Sequence, residues 1–227
     1  MGKKVYVLIS AAGQGKRMGW TVPKQFMRIA HKPLLYYTLR FLYNILPQAS
    51  YVLVLPRDYI NYWQDFCNAQ GHIPLHRCIP GGDTRFISVK KGLHALPHED
   101  AFVFVHDGVR PFVTQELIQR LLTALKDHDG VVPAIRIQDS LRYGTELENK
   151  NIINRHKYFC TQTPQAFHLP KLKTVFEQKA STHFTDEASV FETKHKIYIV
   201  KGEACNIKIT SQEDLKDIAS KIANHAK

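Results

Sequence analysis

The stretch Val5 to Gln25, VYVLISAAGQGKRMGWTVPKQ, constrains the fold more than any other part of this 227-residue chain. Val5 to Ser10 is β-branched and apolar without polar alternation, the pattern of a strand covered on both faces in a parallel sheet. It runs directly into Ala11-Ala12-Gly13-Gln14-Gly15-Lys16-Arg17-Met18-Gly19. Small side chains there let a ligand approach the backbone, and the glycines allow successive N–H groups to turn towards an anion. Arg17 and Lys24 add fixed positive charge, so the turn suits a phosphate; the alternative is a surface loop with solvated cations. Neither common phosphate loop fits. A Walker loop needs Gly-Lys followed by Ser or Thr, and Gly15-Lys16 is followed by Arg17. Gly13, Gly15 and Gly19 are spaced G-x-G-x-x-x-G, one residue longer than the dinucleotide fingerprint.

Strand and helix patterns alternate along the rest of the chain. Leu35, Leu39, Leu42 and Leu46 predict a helix over 33–46, and 51–55 reads as a second buried strand. A helix near 57–69 and a short strand over 75–79 follow. Pro80-Gly81-Gly82-Asp83 breaks the chain before a helix over 85–96, and 101–105 is a strongly buried strand ending at His106-Asp107-Gly108. Thr114 suits the cap of a helix striped by Leu117, Leu121, Leu122 and Leu125, and 131–135 is a strand. Helices near 170–179 and 186–194, a strand near 196–201 and a terminal helix complete the pattern. Thr210 with Glu213 suits a capping box there, with Leu215, Ile218, Ala219 and Ile222 as the buried stripe. This alternation predicts an α/β fold, a mostly parallel sheet flanked by helices. The polar stretch 136–160 differs and reads as a hairpin arm with little core of its own, which packing on a second subunit would stabilise. With no repeat or linker, residues 1–227 read as one domain carrying that arm.

Composition narrows the partners. No apolar run reaches the roughly 18 residues that span a bilayer, and Met1-Gly2-Lys3-Lys4 leads straight into the first strand without a signal peptide. The expectation is a cytoplasmic protein. Cys67, Cys78, Cys160 and Cys205 form no C-x-x-C pair, and the histidines no H-E-x-x-H, so neither a disulfide framework nor a zinc site is expected. The net charge of +11 is dispersed without a run of five or six cations, which fits a small polyanionic substrate or a soluble basic surface. A basic RNA-binding protein remains a competing class, against which the lack of aromatic RNA-binding motifs counts.

Ligands of open α/β sheets bind beyond the carboxyl ends of the strands. The loops there hold Ala11 to Arg17 and Lys24; Gly81-Gly82-Asp83-Thr84-Arg85 with Ser88; and His106-Asp107 with Arg110. Later loops hold Gln162-Thr163-Pro164-Gln165, Thr185-Asp186-Glu187 and Asn206-Ile207-Lys208. Each has a plain structural reading: a turn at Gly81-Gly82, a helix start at Thr185, a packed hydrogen-bonded histidine at His106, a snorkelling lysine at Lys208.

Together AAGQGKRMG, PKQF, PGGDTRFISVKKGL, VHDGVRP, TQTPQAF, TDEASVFE and NIKIT resemble, in order and spacing, the 2-C-methyl-D-erythritol 4-phosphate cytidylyltransferases of non-mevalonate isoprenoid synthesis. The resemblance implies a Rossmann-like nucleotidyltransferase fold, a hairpin arm, a homodimer, and magnesium-dependent transfer of CMP from CTP to a polyol phosphate. It implies that Ala11, Ala12, Gly13, Gly15, Gly81, Gly82, Asp83 and Ser88 form the CTP pocket. Arg17 and Lys24 would hold the triphosphate and transition state, and Asp107 and Arg110 the junction of nucleotide and sugar phosphate. Ser140, Arg155, Thr185 and Lys208 would bind the acceptor, with Lys208 also counted as catalytic; no side chain is assigned to the metal. The chain departs from the family at Gly108-Val109, where Ala-Ala is frequent, and at Ser140, where Thr is. The ribitol-5-phosphate cytidylyltransferases share most of these blocks and are the alternative. Ala11-Ala12-Gly13 and Thr185-Asp186-Glu187-Ala188-Ser189 favour the isoprenoid family.

Overall fold

The apolar runs come together in one sheet with helices on both faces, in a computed structural model that describes residues 3–13, 22–144, 149–178 and 184–225. Strand β1 (Lys4–Ser10) is followed by two short pieces, β2 (Arg28–Ile29) and β3 (Lys32–Pro33), which pair with each other. Then come α1 (Leu34–Ile45), β4 (Ser50–Leu55), α2 (Ile60–Gln70), β5 (His76–Pro80), α3 (Arg85–His94), β6 (Ala101–Asp107), α4 (Gln115–Ala124) and β7 (Gly130–Arg136). The second half contains β8 (Leu141–Gly144), β9 (Asn149–Ile153), β10 (Phe159–Thr161), β11 (Gln165–His168), α5 (Leu169–Gln178), α6 (Glu187–Phe191), β12 (Tyr198–Lys201) and α7 (Gln212–His225). The sheet runs β10-β7-β11-β6-β1-β4-β5, and β12 pairs with β7.

The central place of β1 explains its unbroken apolarity. Val7 and Ile9 face one core with Leu35, Leu39 and Leu42 of α1, Trp63 of α2 and Leu117 of α4. Tyr6 and Leu8 face the opposite core with Phe86, Val89 and Leu93 of α3 and Leu172 and Phe176 of α5. Polar residues at alternate positions would be buried on one face or the other, at a cost of a few kcal/mol each without a partner. β1 is parallel to both β4 and β6, and β4 to β5, so the carboxyl ends of these four strands share one edge. The chain goes from β1 to β4 on one side and later to β6 on the other, and that reversal opens a crevice at the ends of the strands.

Several local expectations shift. Gln165, placed in a loop from the sequence, begins β11, a strand antiparallel to both β6 and β7, so the sheet is mixed. The terminal helix is capped by Ser211 and Asp214 rather than Thr210 and Glu213: Asp214 accepts from the N–H groups of Thr210 and Ser211, and Ser211 Oγ from that of Asp214. Ala219 is exposed, while Ile218 and Ile222 are buried. Asp186, not Thr185, caps α6, accepting from Ser189 N–H at 3.0 Å. Both ends of the 136–160 stretch belong to the main sheet, where Phe159 pairs with Arg136 and Thr161 with Ala134. The Arg136 guanidinium lies 5.3 Å from the Phe159 ring centre, a cation–π contact that helps hold this edge. The hairpin proper is β8–β9, which pairs only with itself among the described residues.

Candidate functional site

Two loops meet at the carboxyl ends of β1 and β5 because both are built from residues too small to keep them apart. A Cβ on Gly81 would lie 2.4 Å from the Cβ of Ala12, and one on Gly108 2.7 Å from the Cβ of Ala11. The Ala-Ala pair is thus flanked on each side by a glycine that larger residues would displace. The turn at Gly82 is fixed by Ser88, whose Oγ accepts from Gly82 N–H at 3.0 Å and donates to Gly82 C=O at 3.2 Å. From below, Gln25 is almost fully enclosed and donates to the carbonyls of Ala11 (2.6 Å) and Gly13 (2.8 Å). Gln25 sits in a 3₁₀ turn, Lys24–Phe26, whose Phe26 stacks on Tyr59 with ring centres 4.8 Å apart. The PKQF block therefore clamps the loop base and sets half-buried Lys24 beside it. Ala11, Ala12, Gly13, Gly81, Gly82 and Ser88 are thus gathered, with Asp83 exposed beside them. Gly15 and Arg17 lie outside the described residues.

The adjoining half of the crevice is organised by Asp107, the last residue of β6. Its Oδ1 accepts from Arg85 Nη1 at 2.6 Å; its Oδ2 meets Lys208 Nζ at 3.0 Å and Arg110 Nε at 3.3 Å. Arg85 also forms a two-pronged pair with Glu187, Nε to Oε1 and Nη2 to Oε2, each at 2.9 Å. Three cations thus face two buried carboxylates, an excess of one positive charge, and Lys208 is the most open of the five, its side chain 42 % exposed. Burial by itself would raise the Asp107 carboxyl, but Arg85, Lys208 and Arg110 outweigh it and hold that group far below the usual carboxylate range. Arg85 is pushed up despite its burial by Glu187 and Asp107, whereas burial prevails at Arg110 and lowers it.

The hub is braced from behind by neutral groups. Thr163 Oγ1 accepts from Asp107 N–H at 3.0 Å and lies 3.0 Å from His106 Nδ1, while His106 Nε2 is 2.8 Å from Arg110 C=O. For a neutral imidazole only one proton arrangement satisfies all three contacts: Thr163 donates to Nδ1, and Nε2–H donates to the carbonyl. His106 is fully enclosed, and burial lowers its pKa to about 4, so it is a neutral strut rather than a proton carrier. Asn206 donates to Thr163 C=O at 2.8 Å, Arg110 Nη1 donates to Asn206 C=O at 2.8 Å, and Ile209 N–H bonds Val109 C=O at 3.0 Å. With Asn206 and Ile209 buried, the NIKIT segment is anchored at both ends and Lys208 is directed to Asp107.

Asp107, Arg110 and Lys208 are therefore brought together. Thr185 is exposed two residues before Glu187. Ser140 and Arg155 are exposed, and Arg155 bonds the carbonyl of Gln138; among the described residues no contact joins either to the hub. The sequence places Arg85 and Glu187 in the strand-end loops but assigns neither a role in the site. One signal was available for Arg85: a cation in the first position of a helix opposes the helix dipole, so it needs a carboxylate partner. Glu187 at the start of α6 suits the dipole and gave no such sign.

The family model described as IspD, 2-C-methyl-D-erythritol 4-phosphate cytidylyltransferase, matches residues 5–224. The enzyme of that name from Bacteroides fragilis is 41 % identical over 210 residues, covering 92 % of this chain and 95 % of its own. The one from Lachnoclostridium phytofermentans is 33 % identical over 223 residues, covering 94 % of each. Among solved structures, the 4-diphosphocytidyl-2C-methyl-D-erythritol synthase of Anaerococcus prevotii superposes with a TM-score of 0.82 at 28 % identity, over 98 % of this chain and 100 % of that one. The bifunctional IspDF of Campylobacter jejuni gives 0.79 at 31 %, over 94 % of this chain and 53 % of that one. With a family match over nearly the whole length and relatives above 30 % identity, this chain belongs to the 2-C-methyl-D-erythritol 4-phosphate cytidylyltransferase family.

Proposed function

We propose that the chain transfers the cytidylyl group of CTP to 2-C-methyl-D-erythritol 4-phosphate, releasing pyrophosphate and forming 4-diphosphocytidyl-2-C-methyl-D-erythritol. The observation that carries this reading is the Asp107 hub, a partly open site with surplus positive charge next to a cradle of small residues. A phosphate oxygen of the acceptor attacks the α-phosphorus of CTP in line, the bond to the bridging oxygen breaks, and pyrophosphate leaves. The acceptor phosphate, with a second pKa of about 6, is ionised at neutral pH, so the step needs no general base. That accords with His106, the histidine beside Asp107, being neutral and engaged at both nitrogens. The work left to the protein is holding two anions together and offsetting charge that builds on the α-phosphate and leaving group. Ala11 to Gly13, Gly81, Gly82 and Ser88 receive the pyrimidine nucleotide; Lys24 and Arg17 hold its phosphates; Arg110 and Lys208 draw the acceptor phosphate towards it.

Magnesium is the proposed cofactor, but the described residues do not form a site for it. Among them no group of three or more His, Cys, Asp or Glu gathers, and both oxygens of Asp107 are taken by cations. Ser140 and Arg155 are proposed to reach the acceptor from a second subunit, with the 136–160 arm as the dimer contact. Tyr143, Tyr158 and Phe159 expose large apolar surface on this stretch, which supports an interface there.

The test is pyrophosphate release from CTP with 2-C-methyl-D-erythritol 4-phosphate and D-ribitol 5-phosphate in parallel. Turnover with the first and little with the second is expected; the reverse order establishes the ribitol reading, and release with neither refutes both.

A further inference from the structure

We propose that Glu187 is a positioning residue for the transfer: acting through Arg85, it fixes how Asp107 is shared and so couples the acceptor-side loop to the nucleotide-side loop. The inference rests on the reading of the Asp107 hub as the place where the two anions meet. Arg85 carries five N–H donors, three of which are engaged by the two carboxylates. Glu187 takes Nε and Nη2 at 2.9 Å each, and Asp107 Oδ1 meets Arg85 through Nη1 alone. Asp107 Oδ2 is consequently left to Lys208 and Arg110. Without the Glu187 charge, the buried guanidinium would have Asp107 as its sole counter-ion and would close on it with two N–H groups, the preferred geometry of an arginine–carboxylate pair. That would draw Asp107 away from Lys208 and Arg110 and move surplus positive charge into the interior. Glu187 therefore keeps the excess charge at Lys208, where a phosphate can reach it.

The two ends of this clasp come from different loops. Arg85 is the first residue of α3, three residues after Gly82 of the Gly81-Gly82 turn. Glu187 is the first residue of α6, two residues after Thr185. The α6 end is itself held by Gln165, whose Oε1 accepts from Ala188 N–H and whose Nε2 donates to Asp186 Oδ2, both at 2.8 Å. Glu187 is 1 % exposed and Asp107 4 %, so neither carboxylate is a solvated surface group.

Steady-state kinetics of Glu187→Gln, Glu187→Asp and Arg85→Lys, beside the wild type, test the proposal. Glu187→Gln keeps the volume and loses the charge; kcat should fall about tenfold or more, the scale of a misplaced reacting group, while KM for CTP stays within about twofold. Arg85→Lys keeps the charge but not the fork, and should be impaired to a similar degree. Glu187→Asp, charged but shorter, should recover part of the lost kcat. Melting temperature and equilibrium CTP binding of each variant report folding separately, and wild-type turnover reports the functional reading separately. The proposal is overturned if Glu187→Gln retains wild-type kcat. It is equally overturned if kcat per CTP-binding site is unchanged and only the melting temperature falls, since that is what a purely structural clasp would give.

Discussion

Mild acid should destabilise this protein through His106, and the size of the effect follows from its enclosure. The imidazole is completely buried with both nitrogens engaged, and its pKa is lowered to about 4; in the unfolded chain it returns to about 6.5. Between those values the unfolded chain binds a proton that the folded chain refuses. The stabilisation is therefore complete above about pH 6.5, declines as the pH falls, and levels off below about pH 4. The full loss is about 3 kcal/mol, of which about 2 kcal/mol is spent by pH 5. Urea unfolding at about pH 7, 6 and 5, for the wild type and His106→Gln, measures it. Glutamine can still donate to Arg110 C=O but does not titrate, so the variant, although weaker overall, should lose much less stability between pH 7 and 5. Asp107 does not confuse the comparison: its depressed carboxyl contributes stability above the unfolded value near 4 and loses it only on further acidification. His76, a lowered histidine that accepts from Trp63 Nε1 at 2.8 Å, adds a slope of the same sign to both proteins. Parallel losses in the wild type and the variant would refute the assignment of His106 as a neutral strut.

Lys208→Ala should lower kcat by roughly 10²-fold or more, the scale of a lost transition-state electrostatic contact, and steady-state pyrophosphate release checks it. Gly81→Ala places a methyl group 2.4 Å from the Ala12 Cβ and should raise KM for CTP about tenfold or more, on the scale of a small displacement at a reacting site; Ala12→Gly in the same chain should recover most of it. Mixed Lys24→Ala and Arg155→Ala proteins should regain activity well above either parent after subunit exchange, because one site of the heterodimer escapes both lesions. No recovery, with exchange verified by mass, would mean that Arg155 serves its own subunit.

The parts of the fold legible in the sequence are those where one local preference decides the outcome. Val7, Leu8 and Ile9 are all fully buried because β1 has a core on each side, and an apolar run without alternation has no other comfortable place. Thr114 caps α4 as read, accepting from Leu117 N–H at 3.1 Å. The misses occur where two similar residues compete or where pairing is set at long range. Ser211 with Asp214 wins over Thr210 with Glu213 by a shift of one residue, which no propensity resolves. From the sequence, Gln165 falls in a loop and 166–168 is assigned no strand, because the segment is short. Ala166 and Phe167 are nonetheless fully enclosed, because β6 lies on one side and β7 on the other.

The candidate site divides along the same line. Small residues and exposed cations announce themselves, since Ala11-Ala12 and Gly81-Gly82 have little to offer a core and Lys208 interrupts two isoleucines. Charged residues that end up buried do not, because nothing in the local sequence says that Arg85 will find Glu187, 102 positions away. Each of these two groups alone would be costly inside the protein; together with Asp107 they form a fork-shaped pair and a third contact that offset the cost. The outer charges of the hub are thus readable one residue at a time, whereas the inner pair that apportions them exists only as a contact. Replacing Glu187 should then disturb Lys208 without touching it, a coupling that arises because both compete, through Arg85 and directly, for the two oxygens of Asp107.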